Sequence, residues 1–121
     1  MKIQSFKDLE AWKEGHRLVL EIYKITKEFP KEERFALIDQ MRRAAISITS
    51  NIAEGFSRQS LKEKIQFYST ALGSATELQN QIYIAKDLDY MKDERFKAIA
   101  GLATRVHKLL NGLIKYCKNK I

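Results

Sequence analysis

The sequence predicts an all-α protein, an antiparallel four-helix bundle whose helices run up, down, up and down. Apolar residues recur at the helical spacing of three and four positions rather than in alternation. Only one proline and five glycines interrupt the 121 residues. Helices of roughly 25 residues joined by connections of a few residues must fold back on their neighbours. A chain of this length can bury a core without disulfides or metal, so we predict one domain over residues 1–121.

The first helix is predicted to begin after Ser5 and to end near Phe29. Ser5 and Asp8 have the spacing of a capping box, in which each side chain accepts a hydrogen bond from the other residue's backbone. Pro30 has no backbone N–H and disfavours helical angles at the residue before it. We therefore expect residues 30–32 to form a tight connection.

The second helix is predicted to run from this connection to about Ser57, and the third from Ser60 to Asp87 or Leu88. Ser60 and Glu63 have the spacing of another capping box. On both helices, small and apolar residues at helical spacing predict an inward stripe. These residues are Leu37, Met41, Ala44, Ile48 and Ile52 on the second helix, and Phe67, Ala71, Leu78, Ile82 and Ala85 on the third.

The fourth helix is predicted to follow a turn at residues 89–92. Asp93 and Glu94 lie where acidic side chains stabilise a helix N-terminus, and lysines lie where cations stabilise its end. Its inward stripe comprises Ile99, Ala103, Val106, Leu110, Leu113 and Cys117. Cys117 is the only cysteine, which excludes an internal disulfide, suits a reducing cytosol and favours core packing over a reactive thiol.

The N-terminal residues and the overall hydropathy indicate a cytoplasmic protein. Residues 1–6 lack the basic and then apolar pattern of a secretory signal. No run of apolar residues approaches the roughly 18 that span a bilayer. We therefore expect no membrane partner.

Positive charge is concentrated in the fourth helix. The chain carries a formal net charge of +7, and residues 91–121 contain eight basic and two acidic side chains. A basic stripe opposite the apolar stripe can neutralise phosphates without reading sequence. The alternative is an ordinary solvated helix face. The candidate nucleic-acid contacts are Lys97, Arg105, Lys108, Lys115 and Lys118, with Arg42 and Arg43 on the second helix, and Thr104 and Asn111 as possible hydrogen-bond donors.

The first helix carries more apolar surface than one face of a bundle requires. One strip comprises Leu9, Trp12, Val19, Leu20 and Tyr23, and a second comprises Ala11, Leu18, Ile22, Ile25 and Phe29. Phe35, Ile46 and Ala53 lie half a turn from the inward stripe of the second helix. Surplus apolar surface indicates one of two things. Either the core of the bundle covers more of each helix than usual, or the chain self-associates. For self-association, the candidate contacts between subunits are Trp12, Leu18, Ile22, Ile25, Phe35 and Ile46.

The sequence predicts no enzyme, no cofactor, no metal ion and no small-molecule substrate. His16 and His107 lie on different helices without an acidic residue at metal-ligand spacing, so we interpret both as structural. Carboxylate pairs lie at helix ends, where capping explains them. Single glycines at positions 55, 73, 101 and 112 form no phosphate loop and would instead permit close packing or binding.

Residues 42–56 contain a run of Ser, Thr and Asn that is costly inside a helix unless tertiary contacts use it. This run resembles the signature of the bacterial four-helix-bundle family encoded in intervening sequences of large-subunit ribosomal RNA genes. Residues 6–12 and 71–78 resemble the family's opening and its third-helix motif. The matching signature residues are Arg43, Ala44, Ser47, Asn51, Ile52, Ala53, Glu54 and Gly55.

The resemblance implies a four-helix subunit that commonly assembles as a homopentameric ring, with a suspected nucleic-acid role and unknown molecular activity. A related protein, the accessory variability determinant of diversity-generating retroelements, binds nucleic acid and a reverse transcriptase. Two hypotheses follow for this chain. The first is an oligomer that binds RNA or DNA, and the alternative is a structural adaptor ring for another protein, such as a reverse transcriptase.

Overall fold

The computed structural model describes residues 2–121, which form four α-helices and no strand. The helices are α1 (Glu10–Thr26), α2 (Leu37–Ser57), α3 (Leu61–Asp87) and α4 (Asp93–Lys118). Each helix packs against its neighbours in the chain, and α1 also packs against α4. In the described residues, no Cα of α2 lies within 8 Å of a Cα of α4, nor does any of α1 lie that close to α3, so these pairs lie diagonally across the bundle. The predicted all-α four-helix bundle is confirmed.

The start of α1 differs from the prediction. Ser5 and Asp8 do form a capping box, but it caps a single 3-10 turn, Phe6–Asp8. Leu9 then adopts an extended conformation with φ of −74° and ψ of 130°, so the α-helix begins only at Glu10. The bonded N–H groups of Gln4 and Ser5 hold the pKa of the Asp8 carboxyl below its usual value.

The connection between α1 and α2 is longer than predicted, and this corrects the placement of Phe35. The first helix ends at Thr26 rather than near Phe29, a 3-10 turn spans Lys31–Glu33, and α2 begins at Leu37. Phe35 therefore precedes α2 instead of lying on it. Apolar residues keep helical spacing through this segment, so periodicity alone does not reveal the break.

The boundaries of α3 and α4 agree with the prediction. The Ser60 hydroxyl accepts a hydrogen bond from the Glu63 N–H at 3.1 Å, and α3 ends at Asp87. Only this half of the predicted capping box forms among the described residues, because the Glu63 side chain accepts no bond from the Ser60 N–H. Asp89 adopts a left-handed conformation with φ of 61°, which reverses the chain before α4. The Tyr90 hydroxyl donates to a Glu33 carboxylate oxygen at 2.6 Å, which joins this turn to the α1–α2 connection at the same end of the bundle.

The predicted inward stripes form the core, but on each of three helices one residue of the predicted stripe is not fully buried. Leu37, Phe67 and Leu113 are half-buried rather than buried. Tyr68, Leu102 and Ile114, not among the predicted stripes, are buried. Cys117 is 3% exposed, as expected of a core residue, and burial raises the pKa of its thiol. The second apolar strip of α1 faces this core: Ala11, Leu18, Ile22, Ile25 and Phe29 are all buried.

Candidate nucleic-acid interface

Lys97, Lys108, Lys115 and Lys118 lie exposed on the outer side of α4. Lys97, Lys108 and Lys115 are separated by 11 and 7 residues, which are close to whole numbers of helical turns. From Lys97 to Lys118 the helix rises roughly 32 Å. None of the four forms an ion pair with a residue in the 2–121 range. Together with Arg105, they are called the basic face of α4 below.

Arg105 is the one member of the basic face with a carboxylate partner in the described chain. Its Nε lies 3.3 Å from an oxygen of Glu14 on α1. The Glu14 side chain is 15% exposed and also binds Arg17 at 2.9 Å. One carboxylate therefore serves two arginines, and this small cluster keeps a net positive charge.

Arg42 and Arg43 lie on α2, diagonally across the subunit from the basic face of α4. Arg42 donates through Nε to the Thr26 hydroxyl at 2.9 Å, and its guanidinium lies 4.5 Å from the Tyr23 ring centroid. These contacts tie α2 to α1. Arg43 is largely exposed and pairs with Asp39 at 3.0 Å. One subunit therefore does not bring these two arginines together with the lysines of α4.

The middle of the basic face contains a shallow depression that the sequence did not single out. It encloses about 290 Å³ and is lined by Gly101, Thr104, Arg105, Lys108 and Leu109. A Cβ added at Gly101 would meet no atom within 4 Å. Packing within the subunit therefore does not require a glycine here, although a mid-helix glycine costs about 1 kcal/mol relative to alanine. The sequence feature that could have indicated this depression is Gly101, a mid-helix glycine between Lys97 and Arg105.

The signature segment of α2 contacts α3. The Ser47 and Ser74 hydroxyls lie 2.8 Å apart, and the Asn51 amide donates to the Ser47 carbonyl at 2.8 Å. The Gly55 backbone lies against the Tyr68 ring, where an added Cβ would stand only 2.7 Å from a ring carbon. Tertiary contacts thus use part of the Ser, Thr and Asn run, as its cost predicted.

The other signature residues divide between the core and the surface. Ala44 and Ile52 are buried, and Ala53 is half-buried. Glu54 is exposed and pairs with Arg58 at 3.1 Å. The segment therefore serves helix packing along one side and presents only a few polar groups to solvent.

The candidate contacts between subunits fall into two groups. Leu18, Ile22 and Ile25 are 2% exposed or less and fill the core, so their side chains cannot reach a second subunit in this fold. Phe35 and Ile46 are 85% and 42% exposed. Trp12 is half-buried and stacks on His16, with 4.7 Å between ring centroids. Of the six candidate contacts, only Trp12, Phe35 and Ile46 remain accessible at the surface, where Leu20 on α1 is also exposed.

The described residues contain few other candidate functional groups. No group of three His, Cys, Asp or Glu residues within 2–121 is placed to hold a metal ion. His107 is half-buried, and its Nδ1 has no hydrogen-bond partner in the described chain. None of the helices described is long and apolar enough to cross a membrane.

Comparison with known proteins gives a family and a structural neighbour. The model of the family described as 23S rRNA-intervening sequence protein matches residues 7–112. A crystal structure of a protein of unknown function from the S23 ribosomal protein family of Bacteroides thetaiotaomicron superposes with a TM-score of 0.82 at 26% identity. The superposition covers 90% of this chain and 98% of that one. No curated protein matches the chain.

Proposed function

The chain belongs to the family of 23S rRNA-intervening sequence proteins, and from this membership we propose that it is a non-enzymatic, oligomeric helical bundle that binds RNA or DNA through the basic face of α4. The observation that carries the proposal is the absence of carboxylate partners, within residues 2–121, for Lys97, Lys108, Lys115 and Lys118. Lysines already engaged in ion pairs would have to break them before binding phosphate. These four need only release counterions.

The arrangement of the basic face favours contact with a phosphate backbone over base recognition. Lysine is a flexible point charge, and the one Phe, Tyr or Trp between Lys97 and Lys118 is Tyr116, whose ring centroid lies 5.2 Å from the Lys120 ammonium. The face therefore offers no row of aromatic rings on which successive bases could stack. Thr104 can add a hydroxyl hydrogen bond to a phosphate oxygen. The missing Cβ at Gly101 lets a backbone approach closely. We therefore propose binding that is sensitive to salt and largely independent of sequence.

Self-association would strengthen this binding, because copies of one basic face add their fields. We propose a homo-oligomer, with a pentamer favoured by the family resemblance. Exposed Ile46 and Phe35 and half-buried Trp12 supply the apolar surface for the contact.

Charge reversal on α4 tests the nucleic-acid proposal. Lys108→Glu with Lys115→Glu places two negative charges on the basic face without disturbing an ion pair. We expect its affinity for a 20-base-pair RNA or DNA duplex, measured by filter binding at low salt, to fall about tenfold or more. Lys27→Glu with Lys31→Glu, on the exposed α1–α2 connection, makes the same change in net charge and serves as the control. Equal losses in both variants, or no binding by the wild type, would contradict the proposal.

A second candidate function is a structural adaptor that docks another protein. It is favoured by the exposed apolar side chains of Leu20, Ile46 and Phe35. An adaptor that uses this side of the bundle would keep its protein partner when Lys108 and Lys115 are reversed. It would lose the partner when Ile46 is replaced by Asp, which distinguishes the two functions.

A further inference from the structure

An apolar pocket lies at the end of the bundle where both chain termini and the α2–α3 connection meet. It encloses about 460 Å³, a volume within the usual range of small-molecule sites. Its walls are apolar side chains from three separate segments. They are Ile3 and Leu9 before α1, Phe56 and Leu61 around the α2–α3 connection, and Leu113 and Tyr116 on α4.

The pocket reaches the core at its base. Tyr68 and Cys117 line it and are 2% and 3% exposed. Burial raises the pKa of Tyr68 to about 12, so its hydroxyl stays neutral at physiological pH. The wall residues Leu9, Phe56, Leu61 and Leu113 are half-buried and keep part of their apolar surface in contact with solvent. An apolar occupant would remove that surface from water.

The single charged residue in the pocket wall is Lys64. Its Nζ donates to the Phe56 carbonyl at 2.7 Å and to the Gly55 carbonyl at 3.4 Å, which fixes it at the C-terminal end of α2. An ammonium group has three donors, so one is left for another acceptor. Within residues 2–121 Lys64 has no carboxylate partner, although partly buried charges are usually paired.

The surroundings of the pocket carry the same sign of charge. Residues 2–9, 55–66 and 113–121 are the three segments that converge here, and they contain eight basic and two acidic side chains. One of the two acids, Asp8, is engaged in the N-terminal capping box, and one of the basic residues, Arg58, pairs with Glu54 just outside these segments. The pocket is thus apolar inside and positive at its wall and rim.

We propose that this pocket binds an amphiphilic anion, a carboxylate carried on an aliphatic chain, with the chain against Leu9, Leu61 and Leu113 and the carboxylate at Lys64. The apolar walls account for the hydrocarbon part of the ligand. The Lys64 ammonium lies 5.3 Å from the Phe56 ring centroid and has no carboxylate partner within residues 2–121. It accounts for the charge of the ligand, because a cation held beside an apolar surface attracts an anion more strongly than one in open water. The ligand is bound and not transformed, and Lys97, Arg105 and Lys108 of the basic face lie outside the segments that form the site.

Binding of sodium decanoate to the full chain tests this site. We expect saturable binding by calorimetry, with methyl NMR shifts confined to Ile3, Leu9, Leu61 and Leu113. Decyltrimethylammonium has the same chain length and the opposite charge, and we expect it to bind at least about tenfold more weakly. Equal binding of the two amphiphiles, shifts spread over the whole molecule, or no binding of decanoate would overturn the proposal.

Substitutions separate the two parts of the site. Lys64→Met is expected to weaken decanoate binding about tenfold, and Lys64→Arg to retain it. Because Lys64 also holds carbonyl groups of α2, a second variant, Leu113→Trp, fills the pocket and should abolish binding without touching the charge. Lys108→Met is the control and should bind decanoate like the wild type. Full binding by Leu113→Trp, or an equal loss in Lys108→Met, would contradict the site.

These measurements also separate this proposal from the nucleic-acid proposal. Lys97→Glu with Lys108→Glu, both outside the three segments that form the pocket, is expected to lose duplex binding and keep decanoate binding. A pocket closed instead by a second copy of the chain would give methyl shifts that depend on protein concentration and no competition by decanoate. That outcome would overturn the proposed ligand.

Discussion

Gly55 and Gly73 show how differently two helical glycines can act. Gly55 lies against the Tyr68 ring, whereas a Cβ at Gly73 would meet no atom within 4 Å. The sequence indicated that glycines permit close packing or binding, but it could not say which glycine does which. That distinction depends on the side chain that the neighbouring helix places opposite, and no local pattern contains it.

We expect Gly55→Ala to destabilise the fold by about 1–3 kcal/mol, because the added methyl group would overlap the Tyr68 ring. Gly73→Ala is the matched control and should stabilise by up to about 1 kcal/mol through helix propensity alone. Urea unfolding measures both. A stabilised Gly55→Ala variant would show that α2 and α3 are not packed as described.

The raised pKa of Tyr68 predicts that the folded protein loses stability at alkaline pH. Its pKa is raised to about 12 from the model-compound value of 10.0 because the ring is buried. The folded state therefore holds the phenolic proton more tightly than the unfolded state. This contribution is fully present below pH 10.0 and is lost as the pH rises to about 12.

The measurement is the difference in unfolding free energy between wild type and Tyr68→Phe from pH 9 to pH 12. We expect the wild type to lose about 2 kcal/mol more than the variant over this window. Parallel curves for the two proteins would mean that Tyr68 titrates normally.

Among the elements, α3 and α4 were predicted closely, and the region between α1 and α2 was not. Ser60, Glu63, Asp93 and Glu94 supply local capping signals, and local signals are visible in a sequence. Phe35, by contrast, keeps the apolar spacing of a helix while lying in a connection. The same connection is joined to the α3–α4 turn by the Tyr90–Glu33 hydrogen bond, a contact between residues far apart in the chain that no local pattern contains.

The α4 helix gives a prediction about backbone approach. Gly101→Ala should raise helix stability by up to about 1 kcal/mol and yet weaken duplex binding severalfold, because the methyl group would stand between the helix and a phosphate. Gly73→Ala, on α3, should give the same gain in stability without loss of binding. Thermal unfolding and filter binding of both variants test this. Unchanged duplex binding by Gly101→Ala would show that the depression around Gly101 is not part of the nucleic-acid interface.

In the whole molecule, the sequence predicted where the basic residues lie but not which side chains they contact in the fold. The lysines of the basic face were predicted from spacing alone. The pairing of Arg105 with Glu14, and the contacts of Arg42 with Thr26 and Tyr23, depend on helices far apart in the chain. The pocket around Lys64 likewise forms only when three distant segments meet.

The proposed self-association would use apolar surface left outside the core. Ile46 on α2 and Ile84 on α3 are almost equally exposed, at 42% and 41%. We expect Ile46→Asp to lower the solution mass measured by light scattering, because the proposed contact includes Ile46. Ile84→Asp should leave the mass unchanged. A wild-type chain that is monomeric at all concentrations would contradict self-association, and the opposite pattern of variants would place the contact on α3.

The salt dependence of duplex binding tests directly whether the α4 lysines bind phosphates. Wild-type affinity, plotted as its logarithm against the logarithm of salt concentration, should fall with a slope set by the number of phosphates contacted. Lys108→Gln with Lys115→Gln should reduce that slope by about 2 for each subunit engaged, and Lys27→Gln with Lys31→Gln should leave it unchanged. A wild-type affinity that is independent of salt, or a slope unaltered by loss of the α4 lysines, would contradict the account.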